Sequence, residues 1–311
     1  MVHQSNQMTT SIARRALRSI FTRVRRHLQA FLQIDIQQTK LEALQTKLDS
    51  LSDFSRDPSV TYISNGLINV DSYLDLAMQN VNKEFIEFKS KYREDGWYFL
   101  FEKLFRGTEE EISCRQTIYI DYLIKCYETL IDKNSQGYFL DFGSGRGEFL
   151  SLLAKANMPG RGIDTSNLNV EYVTNKGLDV ICEDGIDYLR GVMDNSLYGI
   201  TSYQVAEHLE FDVLKDFIAL AYKKIMPGGI VIIETVNPSC MRAMQYFYVD
   251  PTHVRPYPPE LLRFQAEWEG FLRIQILFYM PAYERNSKDD QTNYIGYALI
   301  GYKPDEQDQN V

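Results

Sequence analysis

The sequence of 311 residues has few cysteines and no long apolar run. Its four cysteines, Cys114, Cys126, Cys182 and Cys240, form no C-x-x-C pair, which argues against a zinc site and against a disulfide framework. No segment reaches the roughly 20 consecutive apolar residues of a membrane-spanning helix. The N-terminus also lacks the apolar core of a secretory signal. We therefore expect a cytoplasmic protein with reduced thiols.

Acidic residues outnumber basic residues outside the N-terminus. The net charge is −9, yet residues 1–34 contain six arginines and no acidic residue, so the remaining residues carry about −15. Binding to a nucleic-acid backbone needs a broad basic face, which such an acidic body does not supply. We expect no nucleic-acid partner.

Residues 1–51 contain two helical patterns. Over residues 11–31 apolar residues recur at helical spacing with arginines between them, which predicts a basic amphipathic helix. Such a helix can lie on the inner face of a membrane or dock on a partner, and a transit peptide has the same composition. A leucine seam over residues 41–51 is too short to stand alone and predicts pairing with a partner helix or a second copy of the chain, which would give a homodimer.

The rest of the sequence divides into four segments. Residues 52–70 predict a linker, residues 71–136 a helical region that leads into or packs on the main domain, and residues 303–311 a polar tail. Residues 137–302 alternate short β-rich runs with helical segments, which predicts a doubly wound α/β domain with a mainly parallel sheet. The seven predicted strands are residues 138–142, 160–164, 180–183, 199–203, 230–234, 272–278 and 295–301. The last two predict an antiparallel hairpin that closes the sheet.

A glycine-rich loop follows the first predicted strand in the segment YFLDFGSGRGEFL. The strand ends at Asp141, and Gly143, Gly145 and Gly147 precede a predicted helix. Glycines let the backbone turn sharply and approach a ligand, while the helix N-terminus points free N–H groups at it. The dinucleotide pattern would need a further glycine at position 148, which is Glu148. The acid at the strand tip suits a ligand with ammonium and sulfonium groups better than a pyrophosphate.

Two further acids follow the second and third predicted strands. Asp164, at the tip of the second strand, stands where an acid can hold both hydroxyls of a ribose. Asp184, after the third strand, can accept a hydrogen bond from an adenine amino group. Either acid can also be a solvated residue of its loop.

The stretch over residues 137–302 resembles the class I S-adenosylmethionine-dependent methyltransferase superfamily. The segments LDFGSGRG, GIDTS, EDG, YQVAEHL and MPGGIVIIET occur in the order of that family. The resemblance implies S-adenosylmethionine as the cofactor. The residues that it assigns to the cofactor are Asp141, Gly143, Ser144, Gly145 and Gly147 at the methionine part, Asp164 at the ribose, Asp184 and Gly185 at the adenine, and Gln204 beside the methyl group.

A narrower resemblance lies on either side of this core. The segments FEKLFRGTEEEISCRQTIYIDYL and YFYVDPTHVRPYPPELLRF are similar to those of bacterial methyltransferases of surface-polysaccharide synthesis, including O-antigen chain-terminating enzymes. This resemblance implies a sugar or glycan acceptor. Two alternatives stay open: a methyltransferase for a quinone or lipid-like small molecule, and a non-catalytic adaptor of a polysaccharide-synthesis complex. The glycine spacing disfavours a nicotinamide-dependent oxidoreductase.

The candidate catalytic residues follow the fourth predicted strand and lie in a later insertion. A sugar hydroxyl must lose a proton as it attacks, so a histidine or carboxylate within hydrogen-bond reach helps, whereas a phosphate acceptor is already an anion. His208, beside Glu207, is the first candidate for this base, unless it caps or packs at the following helix. His253 lies in an aromatic, proline-rich insertion that can form an acceptor pocket or a rigid structural loop.

Glu207, His208 and His253 can also be interpreted as ligands of a divalent metal ion. Some superfamily members use an E-x-x-E-H pattern at this strand, but Gln204 replaces the first acid here and removes one charge. We therefore expect no metal.

Overall fold

The structure, a computed structural model, describes residues 96–133, 136–282 and 290–305, without the side chains of residues 103 and 104. The chain divides into two compact units, residues 1–107 and 108–311. The predicted basic helix over residues 11–31, the leucine seam over residues 41–51 and the predicted linker lie outside the described residues.

The first unit contributes one described helix, α1 (Gly96–Phe105). The helices of the second unit are α2 (Glu109–Gln116), α3 (Ile120–Leu130), α4 (Glu148–Lys155), α5 (Asn167–Asn175), α6 (Gly185–Gly191), α7 (Phe211–Lys224), α8 (Met241–Phe247) and α9 (Pro259–Glu269). Short 3₁₀ turns span Thr117–Tyr119, Ala206–His208 and Gln291–Asn293. None of the helices in the described part of the chain is long and apolar enough to cross a membrane.

The strands of the second unit form one seven-stranded sheet. They are β1 (Phe139–Phe142), β2 (Gly160–Asp164), β3 (Val180–Cys182), β4 (Leu197–Tyr203), β5 (Ile225–Val236), β6 (Leu272–Pro281) and β7 (Tyr294–Tyr302). Their order across the sheet is β3-β2-β1-β4-β5-β7-β6. The first five strands are parallel, and β7 is antiparallel to both β5 and β6. This arrangement confirms the predicted fold class, including the closing antiparallel hairpin.

The fifth strand begins earlier than the sequence predicts, at Ile225 instead of Ile230. The intervening Pro-Gly-Gly segment is typical of a turn, which explains the shorter prediction. In the structure Leu197 of β4 pairs with Ile225 and Gly199 pairs with Ile230, so the extra residues form an irregularity in the ladder. The strand therefore passes through this segment without ending there.

Helices cover both faces of the sheet. Side chains of α6, α7 and α9 pack on one face in a single apolar cluster. Side chains of α3, α4 and α5 pack on the other face. Successive residues of β1 point to opposite faces, with Phe139 in one cluster and Leu140 in the other. Because both faces are covered, the central strands β1 and β4 are buried along their whole length, as is usual in parallel sheets.

Helix α3 and the 3₁₀ turn before it share this core. Tyr119, Leu123 and Leu130 are fully buried in the same cluster as Phe139 and Tyr198 of the sheet. Helix α2 begins with a capping box in which the Thr108 hydroxyl accepts from Glu111 N and the Glu111 carboxylate accepts from Thr108 N. The compact unit that contains the sheet thus begins at Thr108, ahead of the predicted domain start at Gly137.

Truncation of α3 tests whether it belongs to the cooperative core. Leu123→Ala is expected to reduce the free energy of unfolding by about 2–5 kcal/mol, because it opens a cavity under the sheet. Ile118→Ala, at a side chain that is 48% exposed, is the control and should change it by about 0.5 kcal/mol or less. Urea unfolding measures both, and equal effects of the two variants would contradict a shared core.

Candidate functional site

The carboxyl ends of the parallel strands meet at one edge of the sheet, and the strand order reverses between β1 and β4. Chain segments after β1 and β4 therefore lead to opposite faces and leave a crevice between them, where ligands bind in open α/β sheets. The segment after β1 is the glycine-rich loop over residues 143–147, and the segment after β4 covers residues 204–208. Both contain residues that the sequence assigns to the site.

The glycine-rich loop is closely packed against the segment after β4. Gly143, Gly145 and Gly147 have φ angles of +71°, +50° and +77°, a region that favours glycine. A Cβ atom added at Gly143 would lie 2.5 Å from Cγ2 of Val205. Gly147 occupies the N-cap position of α4 and offers no side-chain cap, so the first N–H groups of that helix face the loop.

Asp164 ties the glycine-rich loop to the tip of β2. Its Oδ2 accepts from Gly145 N at 2.8 Å, and its Oδ1 accepts from Ser166 N at 2.8 Å and from Asn169 Nδ2 at 3.4 Å. A carboxylate offers about four lone-pair directions. Holding both ribose hydroxyls, as the resemblance implies, therefore requires one of these bonds to give way, and the long bond from Asn169 is the weakest of the three.

The acid at the tip of β1 is buried. Asp141 is 2% exposed, and its Oδ1 accepts from the hydroxyl of Thr201 on β4 at 3.0 Å. Ser144 is also buried, and its Oγ has no hydrogen-bond partner within the described residues. A Cβ atom at Gly162 would lie 2.6 Å from this Oγ, so the hydroxyl lies against β2.

The residues predicted at the adenine have local structural roles. Asp184 is the N-cap of α6, where its Oδ1 accepts from Ile186 N at 2.9 Å and from Asp187 N at 3.0 Å. A Cβ atom at Gly185 would lie 2.3 Å from the ring of Phe142. Packing and capping account for both residues locally, and their contact with an adenine stays a prediction.

Gln204 lies at the end of β4 with a φ of +57°. Its Nε2 donates to Oε1 of Glu234 at 3.2 Å and to the hydroxyl of Tyr279 at 2.8 Å. The Tyr119 hydroxyl donates to the other oxygen of Glu234 at 2.5 Å. Burial raises the pKa of Tyr119 and of Tyr279 far above the ordinary value, so both hydroxyl groups are neutral. This network holds the amide of Gln204 in one orientation.

Glu207 anchors the insertion that carries His253. Its side chain is fully buried, its Oε2 accepts from the Thr235 hydroxyl at 2.7 Å, and its Oε1 has no hydrogen-bond partner within the described residues. The backbone oxygen of Glu207 accepts from Val254 N at 2.8 Å and from Arg255 N at 3.1 Å. The insertion is thereby attached to the segment after β4.

His208 and His253, two of the predicted catalytic residues, lie side by side, and their catalytic role stays a prediction. Their ring centroids are 4.6 Å apart. Nδ1 of His208 lies 3.0 Å from the Thr252 hydroxyl, which donates to Oδ1 of Asp250 at 2.6 Å. Nδ1 of His253 lies 2.7 Å from the backbone oxygen of Phe247, and its Nε2 lies 3.8 Å from Oδ2 of Asp250.

The charge states in this group follow from its surroundings. Burial lowers the pKa of His208 despite the nearby carboxylate of Glu207, so this ring is neutral at pH 7. Burial opposes ionisation of Asp250, but hydrogen bonds from the side chain and backbone of Thr252 lower its pKa. The site therefore combines the neutral imidazole of His208 with the ionised carboxylate of Asp250.

Sequence reasoning missed four residues of this edge: Tyr119, Glu234, Asp250 and Thr252. Glu234 lies near the end of β5, so the rule that ligands meet strand tips could have found it. Asp250 and Thr252 lie in the same short segment as His253, but the hydrogen bond between Thr252 and His208 depends on how the insertion folds back. Tyr119 comes from a helical region far from the strands in sequence, and no local signal marks it.

The fold and the site together indicate the class of enzyme to which the chain belongs. A mainly parallel sheet with an antiparallel closing hairpin, a glycine-rich loop after β1 and an acid at the tip of β2 form a methyltransferase-type domain. Residues 115–275, just over half of the chain, match the family model described as a methyltransferase domain. The chain belongs to this family and is an S-adenosylmethionine-dependent methyltransferase.

The chain is similar to several solved structures. A SAM-dependent methyltransferase from Archaeoglobus fulgidus is 28% identical with a TM-score of 0.59, and the match covers 67% of this chain and 100% of that chain. A methyltransferase from Thermotoga maritima, described as a possible histamine N-methyltransferase, is 16% identical with a TM-score of 0.44, covering 63% and 97%. Geranyl diphosphate C-methyltransferase from Streptomyces coelicolor is 11% identical with a TM-score of 0.43, covering 57% and 76%. No curated protein matches the sequence.

The residues at the edge fit the cofactor. The positive φ angles of the glycine-rich loop keep Cβ atoms off the loop that leads into the N-terminus of α4, so a ligand can approach the backbone closely there. The carboxylates of Asp141 on β1 and Asp164 at the tip of β2 lie next to this loop, and their charge suits the cationic groups and the ribose of S-adenosylmethionine. The individual contacts stay predictions.

The contact between Gly143 and Val205 provides one test. Gly143→Ala places a methyl group 2.5 Å from Cγ2 of Val205 and should lower affinity for S-adenosylhomocysteine roughly tenfold or more, about 1.4 kcal/mol. Isothermal titration measures the affinity. In Gly143→Ala/Val205→Ala, where the opposing methyl group is gone, much of the affinity should return.

Gly177→Ala is the matched control for this change. Gly177 has a φ of +75° and nothing within 4 Å of an added Cβ, so the variant carries similar backbone strain without a clash. Its affinity should equal that of the parent. If Gly177→Ala and Gly143→Ala lost the same affinity for S-adenosylhomocysteine, backbone strain and not the clash with Val205 would explain the loss.

A second test asks whether Asp164 holds the ribose. The parent protein should prefer S-adenosylhomocysteine to its 2′,3′-dideoxy analogue by about 1.5–3 kcal/mol, the contribution of a hydrogen bond to a charged group. Asp164→Ala should bind both ligands weakly and without preference. Asp187→Ala, at an exposed acid of α6, should keep the preference, and a full preference in Asp164→Ala would refute the ribose contact.

Proposed function

We propose that this methyltransferase methylates a hydroxyl group of a sugar or glycan acceptor in surface-polysaccharide synthesis. The narrower sequence resemblance on both sides of the core supports this acceptor class. The neutral ring of His208 at the carboxyl edge of β4, with an aromatic insertion beside it, is consistent with a proton acceptor at this edge. Hydroxyl methylation needs such a group, since the hydroxyl must lose its proton as it attacks.

The cofactor supplies an electrophilic methyl group on a sulfonium when bound. The residues proposed to hold it are Asp141, Gly143, Ser144, Gly145, Gly147, Asp164, Asp184, Gly185 and Gln204. The role of the protein is then to align the acceptor, exclude water and receive one proton. Gln204, fixed by Glu234 and Tyr279, borders the crevice at the end of β4.

The hydrogen-bond chain from His208 through Thr252 to Asp250 is the observation that carries this proposal. The single hydroxyl proton of Thr252 goes to the ionised Asp250, so the Thr252 oxygen accepts from Nδ1–H of His208. The proton of the neutral ring therefore lies on Nδ1, and the basic lone pair lies on Nε2. We assign Nε2 of His208 as the atom that takes the proton of the acceptor hydroxyl.

The insertion between β5 and α9 supplies the proposed acceptor pocket. Its segment over residues 246–254 is attached at Glu207 and carries Phe247, whose ring stacks on His253 at 4.7 Å. Tyr248 in the same segment is 81% exposed. Exposed aromatic faces suit the apolar faces of sugar rings. Glu207 and His253 act here as positioning residues for the insertion and for His208.

Transfer of a labelled methyl group tests the acceptor class. The full chain is incubated with S-adenosylmethionine carrying a radioactive methyl group and with three acceptor panels: nucleotide sugars, bacterial surface polysaccharides, and quinols with lipids. Label in a sugar-containing product, resistant to mild base as an ether is, is the expected result. Label only in quinols or lipids would overturn the sugar proposal, and no transfer with intact cofactor binding would favour an adaptor.

Variants of the hydrogen-bond chain test the base. His208→Ala should keep its affinity for S-adenosylhomocysteine and lose about 10²–10⁴-fold in kcat. Thr252→Val, which removes the hydroxyl but keeps the shape, should lower kcat with little change in KM for the acceptor. Thr252→Ser keeps the hydroxyl and should keep kcat close to that of the parent. Full turnover in His208→Ala would remove His208 as the base.

A further inference from the structure

Three side chains at this edge form a compact group of metal-binding type: His208, Asp250 and His253. One donor atom from each lies within 4.8 Å of the other two. Nε2 of His253 and Oδ2 of Asp250 are 3.8 Å apart. Ligand atoms around a tetrahedral zinc ion are roughly 3.4 Å apart, given bond lengths near 2.1 Å. Small side-chain rotations would close the difference.

Both imidazole rings have an oxygen partner at Nδ1, as histidines that bind a metal through Nε2 do. A histidine that binds a metal usually donates its second ring N–H to an oxygen, which fixes the ring and its tautomer. Nδ1 of His208 donates to the hydroxyl of Thr252, and Nδ1 of His253 donates to the backbone oxygen of Phe247. In each ring, Nε2 is then the nitrogen with the lone pair.

A buried carboxylate beside the group favours a cation there. Glu207 is fully buried, its Oε1 has no hydrogen-bond partner within the described residues, and its charge acts on the ring of His208. A buried charge without full compensation is costly. A divalent ion at the neighbouring histidines would offset the charges of Glu207 and Asp250 together.

We propose that His208, Asp250 and His253 bind one divalent transition-metal ion of the zinc class. Two imidazoles and one carboxylate suit zinc and its neighbours, whereas magnesium and calcium prefer sets of oxygen ligands. Three protein ligands leave at least one coordination position for water or a hydroxyl group. This inference goes against the sequence expectation of no metal, and Asp250 is the ligand that the sequence did not indicate.

Metal binding and proton acceptance use the same lone pair on His208. An ion bound at Nε2 would withdraw that nitrogen as a base, so the loaded and metal-free forms differ in their chemistry. The binding claim itself does not depend on the acceptor. A failure of methyl transfer to sugars would not contradict metal binding. A failure of metal binding would not contradict the proposal of a sugar acceptor.

The test is metal binding by the full chain after treatment with a chelator and removal of the chelator. Isothermal titration with zinc should show one ion per chain. Titration with cobalt(II) should produce visible absorption bands of a four- or five-coordinate site. His253→Gln and Asp250→Asn should weaken zinc binding by roughly 100-fold or more, since even substitution of outer-shell partners costs 10–100-fold.

Controls separate this site from other donors in the chain. The double variant His3→Gln/His27→Gln and the double variant Cys114→Ser/Cys182→Ser should both bind zinc as the parent does. Retained affinity for S-adenosylhomocysteine in His253→Gln and Asp250→Asn shows that these variants are folded. Zinc binding of parental strength in both site variants, or its loss in either control, would overturn the proposal.

Discussion

The site depends on the close approach of Gly143 and Val205. The segment after β1 and the segment after β4 begin on neighbouring strands and lead to opposite faces of the sheet. At their nearest point they leave no room for a Cβ atom at position 143. Only a glycine there lets a loop that can hold a cofactor lie beside a segment that can hold a base, which is how one sheet edge serves both partners of a transfer reaction.

Hydrogen bonds fix the residues on both sides of the crevice. Asp164 holds the glycine-rich loop through Gly145 N, and Asp141 accepts a hydrogen bond from Thr201 on the neighbouring strand β4. On the acceptor side, the backbone of Glu207 anchors the insertion, and Thr252 of that insertion orients His208. The groups assigned to chemistry are therefore held by bonds to rigid strands and their tips, which limits the reorganisation that a reaction requires.

The sequence predicted the parts of this edge that local patterns determine. Alternating strands and helices, the glycine spacing after Asp141 and the acid at Asp164 follow from residues close together in the chain, and the fold confirms the sheet. Partners brought in by tertiary structure left no such pattern: the hydroxyl of Tyr119 on Glu234, and Asp250 behind His208. The start of β5 was also missed, because Pro-Gly-Gly is ordinarily a turn and only pairing with β4 keeps it extended.

A crystal structure of the full chain with S-adenosylhomocysteine tests the central claim most directly. The account predicts density in the crevice between β1 and β4, with the ribose at Asp164 and the homocysteine part against the glycine-rich loop, on the side that faces Gln204 and His208. Ligand density at another edge of the sheet, or a complex in which the segment after β4 lies apart from the ligand, would contradict it.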